Sequence, residues 1–101
     1  MSFKSAAKQH ALEEAPKEAC GIVVNDIYYP CTNISDTPED NFAIHPKDFL
    51  RARSKGKLQY IVHSHPTGEP ASQPDIDACK ATKLKWYIYR NTTDEWLTIN
   101  P

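Results

Sequence analysis

A chain of 101 residues, 40% hydrophobic and 25% charged, has the size and balance of one ordinary globular domain spanning residues 1–101. Its 12 Lys and Arg against 13 Asp and Glu leave a formal net charge of -1, which excludes the basic excess of a nucleic-acid grip. No signal-peptide core and no apolar run of membrane-spanning length is readable, so cytoplasmic work without membrane or nucleic-acid partners is expected.

From Ser2 to Ala15 the residues are helix formers with Phe3, Ala6 or Ala7, and His10 or Ala11 at helical spacing, and Pro16 closes the segment. Cys20 to Val24 and Ile27 to Tyr29 are β-branched and aromatic runs flanking Asn25-Asp26, which predicts a hairpin, with Gly21 allowing a close approach of backbone. Thr32 to Asn41 is a polar loop, and Phe42-Ala43-Ile44 predicts a brief strand. Pro46 starts a helix that runs to Arg53, with Phe49 and Leu50 inward. A strand over Tyr60–His65, a helix over Ser72–Lys83 and strands over Lys85–Arg90 and Glu95–Ile99 complete the chain. The sum is an α+β fold, with about three helices packed on one sheet of about six strands. Cys20, Cys31 and Cys79 are odd in number and lack a CxxC pair, which predicts buried free thiols.

The chemistry concentrates in Tyr60-Ile61-Val62-His63-Ser64-His65-Pro66. Side chains alternate along a strand, so His63 and His65 share one face while Ser64 takes the other. The loop after Pro66 leads to Ser72-Gln73-Pro74-Asp75, where a helix begins. Ser72 and Asp75 match the N-cap and N3 positions of a capping box, which alone accounts for the tetrapeptide. A carboxylate brought beside two imidazoles is also a three-ligand set that leaves one position of a tetrahedral ion for water, as in catalytic zinc sites. His10 and His45 are read as satisfied, non-ligating histidines.

HSHP followed by SxxD resembles the signature of the JAMM (MPN+) metalloproteases, and Pro16 to Val24 (PKEACGIVV) is similar to that family's P-x-E-x-C-G segment. Asn33 to Phe49 is similar to the stretch between strands in bacterial and phage members, above all the N-terminal peptidase domain of tailed-phage tail-assembly proteins. The resemblance implies an MPN/JAB-like, cytidine-deaminase-like fold with a mostly antiparallel, curved sheet. It implies zinc held by His63, His65 and Asp75, Glu18 as general acid and base, and Ser72 as the hydroxyl that stabilises the oxyanion. It implies hydrolysis of a peptide or isopeptide bond in a protein or peptide substrate, with phage tail proteins or an NlpC-type peptidase domain as partners. TGEP after HSHP echoes the RadC-like branch, but the P-x-E-x-C-G segment favours the peptidase branch.

The spacer from Pro66 to Ser72 holds five residues, against about six in the family, so a tighter loop is expected and Asp77 is an alternative ligand. Glu18 is separated from His63 by 44 residues, a separation that only a fold can close. Two further readings stay open: a non-catalytic tail-assembly module stapled by zinc, and the two-histidine, one-carboxylate triad of a non-haem iron oxygenase.

Overall fold

A computed structural model describes residues 2–101. Helix α1 spans Phe3–Glu14, capped by Ser2, whose Oγ accepts the Lys4 N–H at 3.2 Å. It stops at Ala15, which is extended, as a residue before proline prefers. Strands β1 (Cys20–Val24) and β2 (Ile27–Cys31) form the expected hairpin. Asn25 and Asp26 adopt φ of 50° and 67°, the left-handed pair that a two-residue turn requires.

Helix α2 spans Pro46–Arg53, with His45 as N-cap and Pro46 in the first turn. Strand β3 runs Leu58–His65, starting two residues earlier than the sequence suggests. Helix α3 (Gln73–Thr82), strand β4 (Lys85–Arg90) and strand β5 (Glu95–Ile99) follow. The strand expected at Phe42-Ala43-Ile44 is not formed: Ile44 makes a single bridge to Asn33. The Ala43 N–H is taken by the Asn33 side chain at 3.1 Å instead of a ladder partner, and the sheet has five strands rather than six.

The strand order is β2-β1-β3-β4-β5. Every pairing is antiparallel except β3 with β4, which run parallel because α3 carries the chain back across the sheet. The pleat then divides the apolar residues between two layers. Ile22, Val24, Ile61 and Trp86 face α2 and α3 and pack with Ala52 and Cys79. Val23, Tyr28 and Val62 face α1 and pack with Ala7 and Phe3. All three cysteines are buried and free, as their number and spacing suggest.

At Gly21 the backbone packs directly against a buried side chain. A Cβ there would lie 2.5 Å from the ring of Tyr28, which is buried and hydrogen-bonded at 2.6 Å to His10 Nδ1. Gly21→Ala is therefore expected to destabilise the fold by about 1–3 kcal/mol through overpacking, measured as a lower urea midpoint with an unchanged slope.

Candidate metal centre

The site is assembled on the central strand. His63 and His65 project from the same face of β3, and the rings meet edge to face with Nε2 atoms 3.2 Å apart. Ser64 points the other way, and its Oγ accepts the Ala19 N–H at 2.8 Å while its own N–H donates to the Ala19 carbonyl at 3.0 Å. This continues the β1–β3 register, in which Cys20 stands opposite His63, and it carries Glu18 to the position beside His65. The 44 residues between Glu18 and His63 are thus closed by strand pairing, and the carboxylate and the two imidazoles come within 4.8 Å of one another, all buried.

Asp75 arrives from α3. The five-residue loop closes through a turn, Gly68 N–H to the His65 carbonyl at 2.9 Å, and Arg90 Nε donates to the Gly68 carbonyl at 2.7 Å. Ser72 caps α3, its Oγ accepting the Asp75 N–H at 3.2 Å and its N–H donating to Asp75 Oδ2 at 3.0 Å. The capping box and the ligand arrangement coexist, because the same carboxylate lies 3.3 Å from His63 Nε2 through Oδ1 and 3.2 Å from His65 Nε2 through Oδ2. Asp77 does not substitute for it: two residues further round the helix, it is exposed and accepts from Gln73 Nε2 at 2.9 Å.

Two triads therefore share the histidines. Glu18, His63 and His65 lie within 4.8 Å, whereas His63, His65 and Asp75 lie 3.2–3.3 Å apart. Donors about 2.0–2.1 Å from a tetrahedral ion are about 3.3 Å from one another, so the second triad has the spacing of ligands, with Glu18 beside it. The donor chemistry agrees. His65 Nδ1 is 2.7 Å from the Glu69 carbonyl, which makes Nδ1 the donor and turns the Nε2 lone pair toward Asp75 Oδ2. A proton on Nε2 shared with Asp75 Oδ2, or a cation in its place, satisfies both atoms.

The protonation pattern follows the same logic. Burial depresses the His63 imidazole despite Asp75, so that ring is neutral. Burial also opposes charge on His65 and Asp75, but their hydrogen bonds outweigh it, raising His65 and holding Asp75 well below the usual carboxylate range. Burial pushes the Glu18 carboxyl up to about 7, partly offset by His65 and reinforced by Asp75.

His63 lies beneath the site, its ring stacked on Phe42 at 4.3 Å and edge-on to Trp86 at 5.5 Å, with Nδ1 unpartnered. Glu18, His65, Ser72 and Asp75 line an adjoining cleft of about 390 Å³. All five residues expected at the site therefore meet in one place. His10 and His45 stay outside it, paired with Tyr28 and the Lys47 N–H.

Sequence reasoning missed Asn33. Its Nδ2 lies 2.9 Å from the Glu18 carbonyl, 3.0 Å from that of Asn41 and 3.3 Å from that of Pro38. Its Oδ1 accepts from Ser35 and Ala43 at 3.0 and 3.1 Å. One amide ties the loop forming the cleft wall to the Glu18 backbone, and an asparagine in a polar stretch carries no spacing that reveals this. Asn33→Ala is expected to cost about 1–3 kcal/mol and to speed amide exchange at Ser35 and Ala43, read by hydrogen–deuterium exchange.

Comparison with known proteins places the fold and the family. The chain is 38% identical over 102 residues to the tail tip assembly protein K of Escherichia phage N15, covering 95% of this chain and 42% of that protein. It thus spans less than half the length of that relative. The solution structure of protein DSY2949 from Desulfitobacterium hafniense superposes with a TM-score of 0.75 over 95% of this chain and 76% of that one, and at 22% identity it speaks to the fold alone. Residues 2–99 match the family described as prokaryotic homologues of the JAB domain, and the chain belongs to that Prok-JAB family.

Proposed function

We propose that this chain hydrolyses a peptide or isopeptide bond with a divalent metal ion, zinc, held by His63, His65 and Asp75, in the service of phage tail assembly. The observation that supports this reading best is the mutual spacing of the three donor groups, 3.2–3.3 Å, with buried Glu18 beside them. Two imidazoles and one carboxylate form a set suited to zinc with a position left open. An ion held there supplies Lewis acidity, acidifying water and polarising a carbonyl.

The chain's own groups cover the remaining needs of the reaction. The Glu18 carboxyl, raised toward neutrality by burial, is matched to accept a proton from water and return it to a leaving amine. The Ser72 oxygen accepts the Asp75 N–H, so the hydroxyl proton stays available for an oxygen that gains charge in the transition state. Phe42 and Trp86 wall the back of His63 against water, which strengthens each of these electrostatic contacts.

The likeness to a tail tip assembly protein supports tail components as substrates or partners, and an NlpC-type cysteine peptidase domain as a companion in a longer chain. The competing reading, a zinc staple in a non-catalytic assembly module, suits folds that cannot build a core. Here Ile22, Val23, Val24 and Ile88 are fully buried in two apolar layers, which leaves little for a staple to do. That reading also assigns no role to a buried Glu18.

Purified protein is expected to carry one zinc and to cleave peptide or isopeptide substrates, with loss on chelation and return on adding zinc. Glu18→Gln should keep zinc and fold while losing turnover by about 100-fold or more, whereas His63→Ala and Asp75→Ala should lose the metal itself. A Glu18→Gln protein as active as the parent removes Glu18 from the mechanism.

Ser72 can be separated from its capping role. Ser72→Ala is expected to lose about 1 kcal/mol of stability as well as turnover, because the cap and the hydroxyl disappear together. Ser72→Gly should stay within a few tenths of a kcal/mol of the parent yet lose turnover by about 100-fold, measured by thermal melts beside a cleavage assay.

A further inference from the structure

The metal centre does not stand alone on its face of the sheet. A second, apolar groove of about 500 Å³ runs beside it, lined by Phe42, Ile44, Phe49, Leu50, Ile61 and Trp86. Phe42 and Trp86 line both the groove and the cleft, so the two adjoin across these side chains. The link is short: Phe42 stacks on the metal-site imidazole of His63 at 4.3 Å and meets Trp86 at 5.6 Å. Leu50, expected to face inward, is instead 65% exposed on the groove's outer wall, at the edge of the apolar surface that Phe49 and Ile61 continue.

The cleft's mouth has the opposite chemistry. Glu39, Asp40 and Glu69 are exposed there, and no Lys or Arg among the described residues lines it. A chain lying across both regions meets negative charge at one end and an apolar trough at the other. Extended peptide advances about 3.3 Å per residue, so a side chain in the trough belongs to a residue about one to three positions from the bond at the metal.

We infer that the groove is a specificity subsite for the same hydrolytic centre. It takes one large apolar side chain, Phe or Leu in kind, of an extended peptide whose neighbouring lysine or arginine faces Glu39, Asp40 and Glu69. This rests on the hydrolase reading above and adds the class of substrate. The walls shared with the cleft and the acidic residues at its mouth select a cationic, apolar peptide over a second copy of the chain or a small acid.

The test is binding, read by fluorescence polarisation on the Glu18→Gln protein, with labelled lysine-containing peptides in which Phe, Leu or Ala is walked along the sequence. Phe and Leu at one position should bind about tenfold more tightly than Ala there. Leu50→Gln should erase that difference and leave the Ala peptide unchanged, while Leu12→Gln, an exposed leucine on α1, should preserve it. Replacing Glu39 and Asp40 with Lys should weaken the lysine peptides and spare their glutamate counterparts.

A preference that survives Leu50→Gln, or that the Glu18→Gln protein never shows, overturns the subsite. Concentration-dependent dimerisation abolished by Leu50→Gln overturns it in favour of self-association. The two proposals also fail separately. Cleavage by the parent without an apolar preference sinks the subsite and leaves the hydrolase standing, whereas preferential binding without any cleavage does the reverse.

Discussion

The pairing of β1 with β3 is the constraint on which the rest depends. With Cys20 opposite His63, each step toward the end of β3 brings the chain before β1 one residue further along, so Ala19 meets Ser64 and Glu18 reaches His65. The contact is double: Ser64 bonds Ala19 through both its hydroxyl and its backbone N–H. Because side chains alternate with a period of two, a slip of one residue would turn Glu18 away from the histidines altogether. The site's geometry is therefore only as secure as this register. The register in turn is held by Val23 and Val62 packing under α1 and by Ile22 and Ile61 packing under α2 and α3.

The second requirement falls on Asp75, which serves helix and histidine pair at once. At N3 of α3 its carboxylate accepts the Ser72 N–H, and the same group sits against both imidazoles. The cap orients the carboxylate, and the orientation suits the histidines, so local helix chemistry and the site select the same rotamer. This economy explains how a loop one residue shorter than the family's pattern still delivers its carboxylate: α3 must begin beside β3, and the turn through Gly68 and Glu69 achieves that while using the Glu69 carbonyl to fix the His65 tautomer.

Around these two constraints lies a shell that positions and excludes rather than reacts. Phe42 and Trp86 enclose the His63 ring, leaving that imidazole neutral and fully desolvated. Asn33 gathers three carbonyls, one of them that of Glu18, and so ties the wall of the cleft to the acid inside it. The expected strand at Phe42–Ile44 dissolves for this reason: Asn33 takes the Ala43 N–H, and Phe42 is turned inward onto His63.

What the sequence by itself determined was local. Period-two alternation put His63 and His65 on one face, Asn25-Asp26 made the hairpin turn, Ser72 and Asp75 marked a helix start, and proline and glycine placed most element ends, because each depends on dihedral preference or side-chain direction within a few residues. The family resemblance, carried by the neighbouring Pro16, Cys20 and Gly21, added Glu18, which without it reads as a surface glutamate. Only the tertiary structure decided that Glu18 is buried beside the histidines, that Asp75 rather than Asp77 faces them, and that Asn33 and Phe42 belong to the site. These are matters of strand register and helix placement, set by long-range packing of both sheet faces, and no spacing along the chain encodes them.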